Sequence, residues 1–144
     1  MKAPKVICEA AVLAEALLDP EGDCALLLRR FVEERSYELV LSPSILEELD
    51  HLLADGEVRR HLEERPAASL RRFSASLGFL ATAVEGVAEV PAGEHRLEDE
   101  KVLAAALEVG GGVVVSTDET LLSTAIEGLE VVSPRTLVEV LDAV

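Results

Sequence analysis

The chain has no asparagine, glutamine or tryptophan, and among its 144 residues only Phe31, Tyr37, Phe73 and Phe79 are aromatic. So few rings argue against a protein that binds single strands by stacking bases on aromatic platforms. The core must instead be built from Leu, Val and Ala, within a hydrophobic content of 49% and a mean hydropathy of +0.28. The missing amides are one mark of proteins that work hot. Ten arginines among thirteen bases would equally follow from a GC-rich genome.

Cys8 and Cys24 form no metal-spaced pair, and both lie in apolar stretches. Buried free thiols in a reducing cytoplasm are the expectation. His51, His61 and His95 show no ligand spacing and are expected at the surface. Glu9 and Glu15 interrupt the apolar stretch near the start, and no uninterrupted apolar run reaches the length of a membrane span. Neither a secretory leader nor a membrane segment is expected, and the cytoplasm is the expected location.

Positive charge is the other scarcity. The formal net charge is −15, with 15 acids and 10 bases in residues 1–72 but 13 acids and 3 bases in residues 73–144. Such a chain can hold a polyanion only through a local basic patch and bound cations. Arg59, Arg60, Arg65, Arg71 and Arg72 form the one cluster. It reads either as a phosphate-contacting patch or as two solvated helix faces.

What is present is alternation. Apolar runs rich in Val, Ile and Leu interleave with helical patterns, predicting a three-layer α/β domain over residues 1–144. Strands are expected at 5–8, 38–41, 80–84, 113–116 and 129–132. Helices are expected at 12–18, 24–34, 44–54, 57–64, 66–77, 98–109, 119–125 and 136–141. Asp23 is a candidate cap for the second helix. Ser42-Pro43 offers an N-cap with proline at the first helical position, and Ser44-x-x-Glu47 a competing capping box.

Four carboxylates fall where this pattern gives them work. Glu9 directly follows the first apolar strand, with no capping role in view; a solvated loop acid is the alternative. Asp118 follows an all-apolar strand and could cap the next helix, bind a cation, or do both, since a carboxylate has two oxygens. Asp99 falls at the centre of the stripe of Val102, Leu103 and Ala106, which points it inward; a first-turn acid complementing the helix dipole is the alternative. Glu48 lies beside Leu52 at the edge of the stripe of Ile45, Leu46, Leu49, Leu52 and Leu53, whereas Glu47 points away; a boundary acid meeting solvent is the alternative. Ser116 could help hold the Asp118 loop. In open parallel sheets the crevice beyond the carboxyl ends of the strands is where ligands bind. Four acids gathered there require a neutralising cation, which points to Mg²⁺ or Mn²⁺.

Taken in order, these segments resemble the PIN-domain family, especially its small single-domain ribonucleases, which include toxins of toxin–antitoxin pairs. Val6-Ile7-Cys8-Glu9-Ala10-Ala11-Val12-Leu13 is similar to the family's opening strand, which carries Asp-x-Asn before a hydrophobic pair. Ser42 through Leu49 resembles the Ser-initiated helix whose acid precedes a leucine, here Glu48. The run from Glu98 to Ala106 is similar to the acidic helix start whose key position is Asp99. Val115-Ser116-Thr117-Asp118-Glu119-Thr120-Leu121-Leu122 resembles the Val-Thr-x-Asp-x-Asp-Leu-Leu element, and Val131 through Arg135 the closing strand and turn. Three positions depart from the pattern: Glu9 replaces Asp, Ala11 replaces Asn, and Thr120 replaces a later Asp. Glu9 keeps the charge but moves the carboxylate out by roughly 1.5 Å.

The resemblance implies a central parallel sheet of about five strands and hydrolysis of RNA phosphodiesters with Mg²⁺ or Mn²⁺. Glu9, Asp99 and Asp118 would be metal ligands, and Glu48 a ligand through water or a weak base. Arg59, Arg60, Arg71, Arg72 and Ser116 would contact substrate. An antitoxin protein and a homodimer are the implied partners. The alternative is a catalytically degenerate PIN-like domain acting as a protein-binding module. A receiver domain would need adjacent acids after the first strand and an Asp after a third, and has neither.

Overall fold

Val6, Ile7 and Cys8 are each at most 1% exposed. Successive strand residues point to opposite faces, so both faces of β1 (Lys5–Cys8) are covered, as expected for a central strand in a parallel sheet. The computed structural model describes residues 3–63, 67–92 and 99–143. Arg65, His95 and the expected helix starts at positions 66 and 98 lie outside them.

β1 is followed by α1 (Ala10–Leu18) and α2 (Asp23–Val32), then β2 (Glu38–Leu41) and α3 (Pro43–Ala54). Next come α4 (Gly56–His61), α5 (Ala67–Leu80), the short β3 (Thr82–Ala83) and α6 (Glu100–Glu108). β4 (Val113–Val115), α7 (Glu119–Leu122), β5 (Glu130–Val132) and α8 (Pro134–Asp142) complete the described chain. All pairings are parallel, in the order β3-β2-β1-β4-β5. The register sets Ile7 beside Val40 on one side and Val114 on the other. α6 packs on β1, β2 and β4 at the sheet centre, while α1 packs on α2 and α3. The result is the expected three-layer α/β/α architecture. No described helix is long and apolar enough to cross a membrane.

Sheet order explains why the site falls where it does. From β1 the chain adds β2 and β3 on one side, then returns to place β4 and β5 on the other. The carboxyl ends of β1 and β4 therefore flank the topological switch point, the place where open α/β sheets leave a crevice.

Local chemistry sets the helix starts. Ser42 caps α3, its Oγ accepting the Ile45 N–H at 3.3 Å with Pro43 at the first helical position. It prevails over the box at Ser44 because proline pre-sets the helical φ one residue earlier. Ser133 and Pro134 repeat the device at α8, so that helix starts earlier than the expected 136. α2 is capped at Gly22, and Asp23 sits inside its first turn rather than capping it. Asp55 ends α3 and caps α4, accepting from Glu57 and Val58 N–H groups. The expected strand at 80–84 shrinks to two residues because α5 continues through Leu80. α7 stops at Leu122, three residues short of the expected end.

The scarce aromatics are partly pooled. Phe31 and Tyr37 lie with ring centroids 5.5 Å apart, and Arg35 sits over Phe31 at 4.9 Å. Tyr37 is buried and its hydroxyl donates to the Leu27 carbonyl at 2.8 Å, so the polar tip is satisfied. Cys8 and Cys24 are both free and buried, and burial raises both thiols, that of Cys24 to about 11.

Candidate metal centre

Glu9, Glu48, Asp99 and Asp118 line one cavity of about 320 Å³, together with Ala10, Ala11, Val102 and Thr117. Four separate elements deliver the four acids: the end of β1, the middle of α3, the start of α6 and the end of β4. No Lys or Arg is among the described lining residues.

Glu9 stands at the N-cap position of α1 with extended backbone, but its side chain makes no cap hydrogen bond. The backbone does that work: the Glu9 carbonyl accepts from Val12 and Leu13, and the Glu9 N–H donates to Val115 O at 3.2 Å. The carboxylate is turned instead toward the β4 loop, where the Ser116 hydroxyl and the Thr117 N–H donate to it. Burial, above all, pushes the Glu9 carboxyl above its ordinary value, and the charges of Asp99 and Asp118 add to that. The bonds from Ser116 and Thr117 oppose the shift.

Asp118 caps α7, its Oδ1 accepting the N–H groups of Thr120 at 2.8 Å and Leu121 at 3.1 Å. It also lines the cavity, so capping and facing the cavity coexist. Asp99 is 3% exposed and occupies the N-cap position of α6 without a side-chain cap bond. From that position it lines the acid cavity. Glu48 is half-buried, whereas the Glu47 side chain is 76% exposed beside His51. The edge of the α3 stripe is therefore the edge that meets the cavity.

The remaining sequence candidates separate from the acids. Ser116 is fully buried, with its hydroxyl committed to Glu9 and to the Asp118 N–H at 2.9 Å. That position serves the loop, and buried so it presents no surface to a substrate. Arg59 and Arg71 line a different groove, described below. Arg60 is exposed and donates to the Gly56 carbonyl at 3.4 Å, and Arg72 donates to Ser69 Oγ at 3.3 Å. None of the four arginines is brought to the acid cavity. Thr117 was missed by residue-type reasoning because it contributes a backbone N–H, which any residue but proline carries.

Among the described lining residues the polar groups are oxygen donors or backbone N–H groups, a donor set suited to a hard divalent cation. Among the described residues no three acids close into a ready-made ligand cluster. Mg²⁺ does not demand one, because it keeps several waters and is held by one or two carboxylates.

The backbone matches the PIN domain of T. brucei RRP44 with a TM-score of 0.56, over 98% of this chain and 83% of that one. The fold is PIN-like. Identity between the two is 16%, so the likeness concerns the fold. No family model matches the chain, and no curated protein is significantly similar to it. In this PIN-like fold the acid cavity opens at the switch point between β1 and β4.

Proposed function

We propose that the chain is a divalent-metal-dependent ribonuclease acting at the acid cavity. The observation that carries this reading is the convergence of four carboxylates, from four elements, on one cavity. The charges of Asp99 and Asp118 act on Glu9 there, and a divalent cation relieves such repulsion. Glu9, Asp99 and Asp118 would hold Mg²⁺ or Mn²⁺. Such a cation, when bound, lowers the pKa of water and neutralises charge developing on a phosphodiester. Glu48 reaches the same cavity from α3 and would orient the attacking water or take its proton. Ser116 and the Thr117 N–H hold Glu9 in place, and Asp118 is fixed by the two N–H groups it caps. On the sequence resemblance alone, we extend the proposal to a toxin that pairs with an antitoxin protein and forms a homodimer.

A second reading, a PIN-like scaffold that has lost catalysis and binds another protein, is favoured by the opening motif. The raised Glu9 carboxyl holds its proton more tightly, and an exposed methyl, Ala11, stands where the family pattern has an amide.

Incubation of the protein with single-stranded and hairpin RNAs in Mn²⁺ separates the two. The nuclease reading expects cleavage that chelation abolishes and that Asp99→Asn lowers by about 10²-fold or more. Glu9→Asp with Ala11→Asn should raise the rate by about tenfold, within the range that a small displacement at a reacting centre can change. No cleavage by either protein would leave the scaffold reading in its place.

A further inference from the structure

Helix α3 presents two unlike faces. At 3.6 residues per turn, Leu46, Asp50 and Leu53 point together, and Glu48 points roughly 140–160° away from them. Glu48 faces the acid cavity. The other three line a separate groove of about 680 Å³ between α3 and α5. Its apolar lining is Leu46, Ala54 and Ala75 at the surface over the buried Leu53 and Leu70, and Arg59 of α4 and Arg71 of α5 also line it. Gly78 keeps the helices close: a Cβ there would stand 3.3 Å from Leu46 Cδ1. Leu46 and Gly78 also line a second cavity of about 450 Å³, so the depression continues toward β3. Phe79, next along α5, is 88% exposed.

Charge complementarity selects the occupant. With a net charge of −15, most of this surface repels an acidic partner. This groove offers two guanidiniums beside a leucine-lined floor. A phosphate track would want cations along its length and stacking rings within. Here the described lining is largely aliphatic, contains Asp50 and includes no aromatic ring. A helix laid in such a groove buries apolar anchors at i, i+3, i+4 and i+7 spacing.

The geometry points to a docking groove for an acidic amphipathic helix of another protein. Its apolar stripe covers Leu46, Ala54 and Ala75, its flanking carboxylates meet Arg59 and Arg71, and the exposed Phe79 beside Gly78 extends the contact. The groove lies across α3 from the acids, so docking there is independent of whether the cavity cleaves RNA.

The probe is a synthetic peptide of about 18 residues, long enough to hold helix on binding, with Leu on one stripe and Glu elsewhere. It is titrated against the whole chain by fluorescence anisotropy, beside the same peptide with Lys for Glu and beside oligouridylate. The Glu peptide should saturate with a Kd on the order of 10 μM, and the Lys peptide should bind at least about tenfold more weakly. Arg59→Glu with Arg71→Glu should weaken the Glu peptide by about tenfold or more. Ala75→Trp, which fills the groove from an exposed position, should do the same should the charge-reversed chain fail to fold. In wild type, the bound peptide should slow amide exchange in α3 and α5. Equal affinity for the two peptides, or protection elsewhere in the chain, would overturn the assignment. So would oligouridylate binding lost on charge reversal while the Glu peptide fails to bind.

Discussion

The hydroxyl oxygen of Ser116 accepts the backbone N–H of Asp118 at 2.9 Å. The same hydroxyl donates to the Glu9 carboxylate. One buried side chain therefore ties the acid after β1 to the acid after β4, across the switch point of the sheet. Ser116→Ala would leave a part-buried N–H without this acceptor, at a cost of about 0.5–1.5 kcal/mol. It should also move Glu9 further upward, since the lost bond is one that lowers its pKa. Thermal unfolding measures the first effect and carboxyl NMR titration the second. An unmoved Glu9 titration would contradict the bridging role.

The raised Glu9 carboxyl predicts a pH dependence of a particular sign. Burial is the main cause, followed among the raising effects by Asp99 and Asp118, and the ordinary value is 4.5. A folded carboxyl that binds its proton more tightly than the unfolded one gives the native state the extra proton between the two pKa values. Stability then falls as pH rises. The contribution is complete below the unfolded value and is lost as pH climbs through the raised folded value. Glu9→Gln cannot ionise. In chelated buffer its melting temperature should gain on wild type as pH is raised from 4.5 toward neutrality. A difference between the two that stays constant with pH would contradict the assignment.

Much of this architecture is legible in the sequence, for reasons that differ by element. Lys5–Cys8 and Glu38–Leu41 can be read to the residue, being short apolar blocks bounded by non-strand residues. β3 cannot be, because Leu80 and Ala81 suit a strand as well as a helix, and only packing of α5 against α3 settles the matter. The placement of Asp99 follows from its helical phase, and that of Glu48 from the edge of a stripe. The Ser116 bridge has no periodic signal, since it joins residues from two non-adjacent segments. Arg59 and Arg71 belong to the one arginine cluster of the sequence, yet that clustering does not report which side of α3 they occupy.

Two glycines make opposite predictions. Gly111 has φ +97°, and a Cβ there would lie 2.9 Å from the Gly128 carbonyl oxygen. Gly111→Ala should destabilise by more than about 1 kcal/mol, since both the backbone conformation and the space oppose it. Gly56 opens α4 and has nothing within 4 Å of a Cβ. Gly56→Ala should stabilise by about 0.4–1 kcal/mol by restricting the unfolded chain. Denaturant unfolding of both variants checks the pair, and equal signs would show that one of these local environments has been misread.

The central claim, that the acids around the switch point form a cation site, is tested most directly by Mn²⁺ titration. Mn²⁺ binding is followed by electron paramagnetic resonance and by the rise in melting temperature, in wild type and in Asp99→Ala and Asp118→Ala. Relief of repulsion among Glu9, Asp99 and Asp118 predicts saturable binding that stabilises wild type, with affinity at least about tenfold lower in each variant. Equal affinity and equal stabilisation in all three proteins would contradict the account.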